Sequence, residues 1–250
     1  MAGLVKNEWK KVSLPVLLTT ALLTVVMCVL SCTVYKNYSL QYDLQAWEVG
    51  TEIFSMLYPL LVVVPLCWNL YYERRDNFLF YVTPRVKIQK YLAAKWTAYA
   101  LGAFCIIVIP YMLSALSALY LKPPVDPFAN PFEHVFEDMY INTPLLYAVL
   151  LSLWRGVIGV MVMTFGFVLA LYTRNIFVIL TGPFVYCDLE NFVLSILHQE
   201  CYRLVVSFDP DAVAPEGMTT LSYFSGPIIL IIVTALTALI LSRKNKVVTI

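Results

Sequence analysis

Three ionisable residues stand inside otherwise uncharged runs: Arg155 in Pro144–Tyr172, and Asp188 and Glu190 in Ile176–Leu197. A charge at the centre of a bilayer costs from about 2.5 kcal/mol upward, so such residues pair, face a wet cavity or act on an ion or substrate. At about 1.5 Å per residue, Arg155 lies about 16 Å inside one end of its run, and Asp188 and Glu190 about 9–13 Å inside the same end of theirs. The expectation is an ion pair between Arg155 and Asp188 or Glu190, structural rather than substrate-binding. Glu48 and Glu52, one helical turn apart, are the second choice of partner. A further cluster is extramembrane. Glu73-Arg74-Arg75-Asp76 leads into the aromatic stretch Phe78-Leu79-Phe80-Tyr81-Val82, then Thr83-Pro84-Arg85 and the basic approach Lys87, Lys90, Lys95.

Other chemistries leave no mark. No GxxxxGK[ST] phosphate loop and no HExxH occur, and no Cys/His cluster has metal-ligand spacing. His134 and His198 fall in connections, so neither serves a serine nucleophile inside the bilayer. His134, among Glu133, Glu137 and Asp138, reads as solvated surface. The chain is therefore not expected to be an enzyme, and it needs no cofactor or metal of its own.

The elements that position these residues follow from hydropathy. With 60% hydrophobic residues, 13% charged residues and a mean hydropathy of +0.76, the composition is that of an integral membrane protein. A net charge of +1 gives no electrostatic case for nucleic acid. The predicted fold class is all-α, one transmembrane domain over residues 1–250, with six spans. These are about 14–35, 48–71, 91–121, 144–172, 176–197 and 227–241, each long enough for a ~30 Å hydrocarbon core. Lys6–Lys11 followed by an apolar run imitates a signal peptide, but Val12–Tyr35 is long enough to span and is read as a retained helix.

Charge sets the direction. Lys6/Lys10/Lys11, the run Arg74–Lys95, Arg174 and Arg243/Lys244/Lys246 fall on one side of such a six-span plan, while Lys36, Lys122 and Arg203 fall on the other. Of the acids, only Glu8, Glu73 and Asp76 share the basic side. Positive charge is retained in the cytoplasm on insertion, so both termini are expected there. Leu4/Val5, Glu8/Trp9 and Val12 recur at helical spacing, which with Trp9, Lys10 and Lys11 predicts an interfacial amphipathic helix over residues 1–12. In the long connection His198–Gly226, residues 201–206 have the apolarity of a short helix dipping into the outer leaflet. The six cysteines do not suggest a disulfide framework; Cys187 and Cys201 are the two placed to meet near the outer surface.

The segment Glu73–Lys95 carries a resemblance. An acidic residue at the inner end of the second span, a Pro-x-Arg-like turn and a lysine at the start of the third span resemble the ABC-2 type permeases, the membrane subunits of a class of ABC transporters. Glu73, Pro84-Arg85 and Lys95 stand at those positions; Asp76-Asn77 stands where that family often has a small-residue pair. The six-span plan, the amphipathic N-terminus and the long connection before the last span are similar too. The resemblance implies a cytoplasmic coupling helix over Glu73–Val82, with Glu73, Arg74, Arg75, Phe78, Leu79, Val82, Pro84 and Arg85 facing a soluble ATPase. It implies two ATPase copies binding ATP and Mg, and a second permease chain, identical or not, in a bacterial plasma membrane. The activity implied is export, of amphipathic or antimicrobial peptides or other hydrophobic substrates. An ion-coupled secondary transporter using Arg155, Asp188 and Glu190, and a sensor or structural subunit that moves nothing, are the rival classes.

Overall fold

Hydrocarbon offers no hydrogen-bond partner, so apolar runs of this length satisfy their backbone by folding as helices. The computed structural model describes residues 1–78, 86–124, 136–213 and 218–244, the Lys244 side chain excepted. In chain order the helices are α1 (Ala2–Thr33), α2 (Gln45–Thr51), α3 (Phe54–Arg75), α4 (Ile88–Tyr120), α5 (Glu137–Asn142), α6 (Pro144–Tyr172), α7 (Ile176–Ile196), α8 (Leu204–Phe208) and α9 (Ser222–Lys244). Six helices among the described residues are long and apolar enough to cross a membrane: α1, α3, α4, α6, α7 and α9. The protein is accordingly a multi-pass membrane protein. Below, the end of the bundle bearing Lys10, Arg74 and Arg174 is called the basic end.

α4 lies at the centre, between α1 and α6; α3 packs on α6 and α7, and α9 on α6 and α8. Helix starts follow local chemistry. Pro144 opens α6, where a missing N–H costs nothing. Asn175 caps α7, its Oδ1 accepting the Phe177 N–H at 2.9 Å, so the short link Thr173-Arg174-Asn175 suffices to reverse the chain.

Three expectations change. The interfacial helix over residues 1–12 is instead the first turns of α1, which continues unbroken through Pro15 to Thr33. Its buried stripe, Glu8, Val12, Val16, Thr20, Leu23, Met27 and Ser31, runs along α4. The periodicity seen in the sequence therefore belongs to a bundle-facing stripe, with Trp9 packed against the core and Lys10 exposed. The span expected at 48–71 begins later, at Phe54, because Gln45–Thr51 folds as a separate helix. Gly50 lets that helix press onto α1: a Cβ there would lie 2.5 Å from Ser31 Cα. Finally, Glu73, Arg74 and Arg75 do not open a coupling helix; they are the last turn of α3. The helix stops at Asp76, and Asn77 takes the left-handed conformation (φ 56°) that reverses the chain before Phe78. Leu79, Val82, Pro84 and Arg85 lie outside the described residues.

Candidate functional site

Two polar layers cross the apolar bundle, one near each end. At the basic end, Glu8 of α1, Glu73 of α3 and Tyr91 and Lys95 of α4 converge. Lys95 has no exposed side-chain surface and is ion-paired to Glu73, with Glu8 Oε2 3.3 Å away. Lys11 adds a second cation, 2.6 Å from Glu8 and 3.1 Å from Glu73. The Tyr91 hydroxyl donates to Glu73 at 2.9 Å and, more weakly, to Glu8 at 3.4 Å. Two carboxylates and two ammoniums make a neutral cluster, the arrangement under which charges tolerate burial. Three spans are tied together here by a single short layer.

The neighbouring residue ties a fourth. Arg74 donates through Nη1 to the carbonyls of Ala170 and Thr173, the latter at 3.1 Å. These are orphan carbonyls at the C-terminal end of α6, where a cation is favoured by the helix dipole. The loop expected to couple to a partner therefore leaves α3 from a point connected to α1, α4 and α6. Phe78 stands just beyond, 40% exposed, with Lys11 Nζ 5.2 Å from its ring centroid. Arg75 is on the surface, beside Asp76 at 3.3 Å and over the Tyr72 ring.

The second layer corrects the expected pairing of Arg155. The side chain is buried, but its partner is neither Asp188 nor Glu190. Nη2 binds Asp209 Oδ1 at 2.9 Å, and Nε donates to the Phe208 carbonyl at 2.8 Å. The guanidinium is also walled by aromatic rings, 4.8 Å from Trp47, 4.6 Å from Tyr111 and 5.5 Å from Phe208. The physical reason is α8. It re-enters the bundle between the fifth and sixth spans and brings a carbonyl and a carboxylate to the depth of Arg155, closer than anything on α7. Glu190 is used by the same segment differently: both its oxygens accept the Leu204 N–H at 3.1 Å, so it caps α8. Asp188 makes no hydrogen bond or ion pair among the described residues, and it is partly exposed on α7.

Further contacts fix α8. Trp154 Nε1 donates to the Ser207 carbonyl at 3.0 Å, and Ser207 Oγ to the Ser222 carbonyl at 2.8 Å. Phe208 stacks on Tyr58 with centroids 4.0 Å apart. Gly226 permits the approach of α9, since a Cβ there would lie 2.5 Å from Leu204 Cα. The short helix expected over 201–206 is thus present two to three residues later, and buried rather than resting in the leaflet. Burial drives the Asp209 carboxyl up to about 6, against the pull of Arg155. Glu48 on α2, which accepts from the Tyr140 hydroxyl at 2.7 Å, is raised well above the usual range, first by burial and then by Asp211. Cys187 and Cys201 are free thiols.

No protein-family model, curated protein or solved structure matches this chain. The geometry must therefore speak for the function. Among the described residues no group of His, Cys, Asp or Glu is disposed to hold a metal. What the two layers offer is mechanical: one ties the ends of four spans together, and the other fixes α8 to the spans around it. Sequence reasoning had marked Glu73, Arg74, Lys11 and Lys95. It missed Glu8, Tyr91 and Asp209, whose signals are weak: an acid among N-terminal lysines, an aromatic at a span edge, and an Asp-Pro turn in a loop.

Proposed function

We propose that this protein is the permease subunit of an ATP-driven exporter of the ABC-2 type, working as two permease chains with two separate ATPase subunits, both termini in the cytoplasm. The observation that supports the reading best is the layer at the basic end. Motion of a partner against the segment after Asn77 would pull on the last turn of α3. From there Glu73, through Lys95 and Lys11, reaches α4 and α1, while Arg74 reaches α6. A last turn of α3 tied to three further spans suits a subunit that must convert a push from outside the membrane into rearrangement within it. A helix end that only anchored the chain to headgroups would not need these buried partners. The layer around Arg155 would serve as the closed opposite end, with α8 as its plug. Each state must be favoured by differential contacts with nucleotide or cargo. Amphipathic or antimicrobial peptides are the proposed cargo class, by resemblance.

The test is purification in mild detergent from native membranes. The protein should bring down a soluble subunit carrying a GxxxxGK[ST] loop, with ATP hydrolysis in the eluate, and vesicles should accumulate cargo only with ATP. Accumulation that persists without nucleotide and collapses with a protonophore would assign an ion-coupled transporter instead. Cysteines at Asn7 and Asn77 resisting an impermeant thiol reagent in intact cells, with one at Ala212 reacting, would establish the direction of insertion.

A further inference from the structure

Glu48, on α2 outside the spans, has one carboxyl oxygen satisfied and one not. Oε2 accepts from the Tyr140 hydroxyl at 2.7 Å, while Oε1 is buried and meets no donor. Within hydrogen-bond reach of this carboxyl stands a second acid, Asp211. Two ionised carboxyls only accept, so neither can satisfy the other, and their charges repel. One proton removes both faults: as an acid, Glu48 donates from Oε1 to Asp211.

The surroundings leave a proton as the natural occupant. Besides Asp211, the segment after α8 presents Asp209, and Glu52 adds its charge to the layer. The short helix α5, α6 and α9 present hydroxyls, of Tyr140, Tyr147 and Tyr223. Arg155 of α6 is the cation here, and it is bound to Asp209. Lys122, just past the end of α4, is paired with Asp43. Among the described residues no set of acids is disposed to hold a metal. Burial, and then the Asp211 charge, hold the Glu48 carboxyl well above its ordinary value.

The place of Asp211 in the chain turns this proton into a mechanical link. Asp211 lies in the turn Pro210–Ala212, directly after α8. Asp209, at the head of that turn, ties the segment to α6 through Arg155, and Asp211 ties it to α2 through Glu48. Ionising Glu48 would set three carboxylates against one guanidinium, which both repulsion and desolvation oppose. Asp211 is exposed, so the proton exchanges with the medium on the face away from the basic end. We infer that a single proton held between Glu48 and Asp211 latches the segment after α8 onto α2, and that its loss frees this segment to lift from the bundle. The inference rests on the reading of α8 as a plug and names the acidity of the medium at that face as its control. It makes no use of the ATPase.

Infrared spectroscopy of the protein in liposomes tests the proton without altering the cysteines. The carbonyl stretch of a protonated carboxyl is absent from carboxylates. At pH 7 the wild type should show one such carboxyl more than Glu48→Gln, where an exposed acid, titrating near pH 4, is ionised. Asp211→Asn should shift the titration of that band to lower pH, because it removes a like charge. Spin labels at Tyr38 and Ala212, both exposed, report the segment in a chain whose native cysteines are replaced. They should give one narrow distance while the band persists and a second, longer one in at least half of the molecules once it has titrated. Glu48→Gln, whose amide still donates to Asp211, should keep the narrow distance throughout. No band difference at pH 7, a titration unmoved by Asp211→Asn, or a distance unchanged when the band is lost overturns the inference. ATPase recruitment reports separately on the permease reading.

Discussion

Arg155 and Asp209, 54 residues apart in sequence, meet at 2.9 Å with their side chains 1% and 7% exposed. The pair joins α6 to the end of a short helix buried among the spans. Breaking one side of such a pair strands a buried charge, at about 3–5 kcal/mol. Arg155→Ala and Asp209→Ala are therefore both expected to lower thermal stability in detergent by that order. Their effects should not add, because either substitution removes the same interaction. Asp188→Asn should leave stability within about 0.5 kcal/mol, since it touches neither partner. Equal losses for Asp188→Asn and Asp209→Ala would return the partnership to α7.

The layer at the basic end makes a second cycle. Lys95 is fully buried between Glu73 and Glu8, with Tyr91 and Tyr99 flanking its ammonium. Lys95→Met leaves two carboxylates facing one half-exposed Lys11, and should cost about 3–5 kcal/mol. Lys95→Met with Glu73→Gln restores neutrality between Glu8 and Lys11 and should recover a large part of that loss. If the double variant melts lower than Lys95→Met alone, the cluster is not organised by charge balance.

How much of this was legible depends on where the partner came from. The span Pro144–Tyr172 could be read off the sequence because Pro144 opens it and the uncharged run ends where Thr173 and Arg174 begin. Periodicity in residues 4–12 was also real, but a helical stripe does not say whether it faces headgroups or a neighbouring helix. Glu8, sitting on that stripe and buried, was the residue that could have decided it. For Arg155, hydropathy gives depth along each span, so only acids within spans were candidates. Asp209 gains its depth from re-entry of α8, which depends on Gly226, Ser222 and Glu190 meeting the segment from two other helices. No local pattern carries that.

Acid and base should act on the α2–α8 region in a defined direction. Glu48 is raised above its ordinary value by burial and by Asp211, with the Tyr140 hydroxyl opposing; Asp209 reaches about 6 with Arg155 opposing. An unfolded carboxyl titrates near pH 4. Between about pH 4 and pH 6 the folded protein then holds protons that the unfolded chain releases, so stability falls as pH rises through this window. Glu48→Gln keeps an acceptor for Tyr140 and removes one titrating group. Its melting temperature should vary less between pH 4 and pH 7 than that of the wild type. A steeper dependence in the variant would mean that Glu48 is held ionised.

Close approach of backbones gives a third stability test. A methyl group at Gly226 would meet the Leu204 backbone at 2.5 Å, which only a shift of α8 or α9 can relieve. Gly226→Ala should therefore cost more than 1 kcal/mol, in the range of overpacked cores. Gly3, with nothing within 4 Å of the added Cβ, is the control: Gly3→Ala should be neutral or slightly stabilising. The position of α8 can be read directly. A cysteine at Val205 should gain thiol reactivity in the Gly226→Ala background if the segment is displaced.

Phe78 tests the coupling reading itself. It follows the left-handed turn at Asn77 and stands 40% exposed over Lys11, while the charged layer behind it is closed. A large exposed ring beside a basic group has the character of an anchor for a partner's pocket, where a few such side chains carry most of the binding energy. Phe78→Ala removes a surface contact with Lys11 but leaves the charged layer intact, so the melting temperature should stay close to wild type. Recovery of the ATPase subunit should fall several-fold, or hydrolysis should continue without cargo accumulation. Adding Leu79→Ala should deepen the defect. Asp126→Ala with Glu133→Ala, in the connection between the third and fourth spans, should change neither quantity. Normal recruitment and normal coupled transport in the Phe78/Leu79 double variant would remove this loop from the mechanism. The permease reading would then depend on the number of spans and their charge asymmetry.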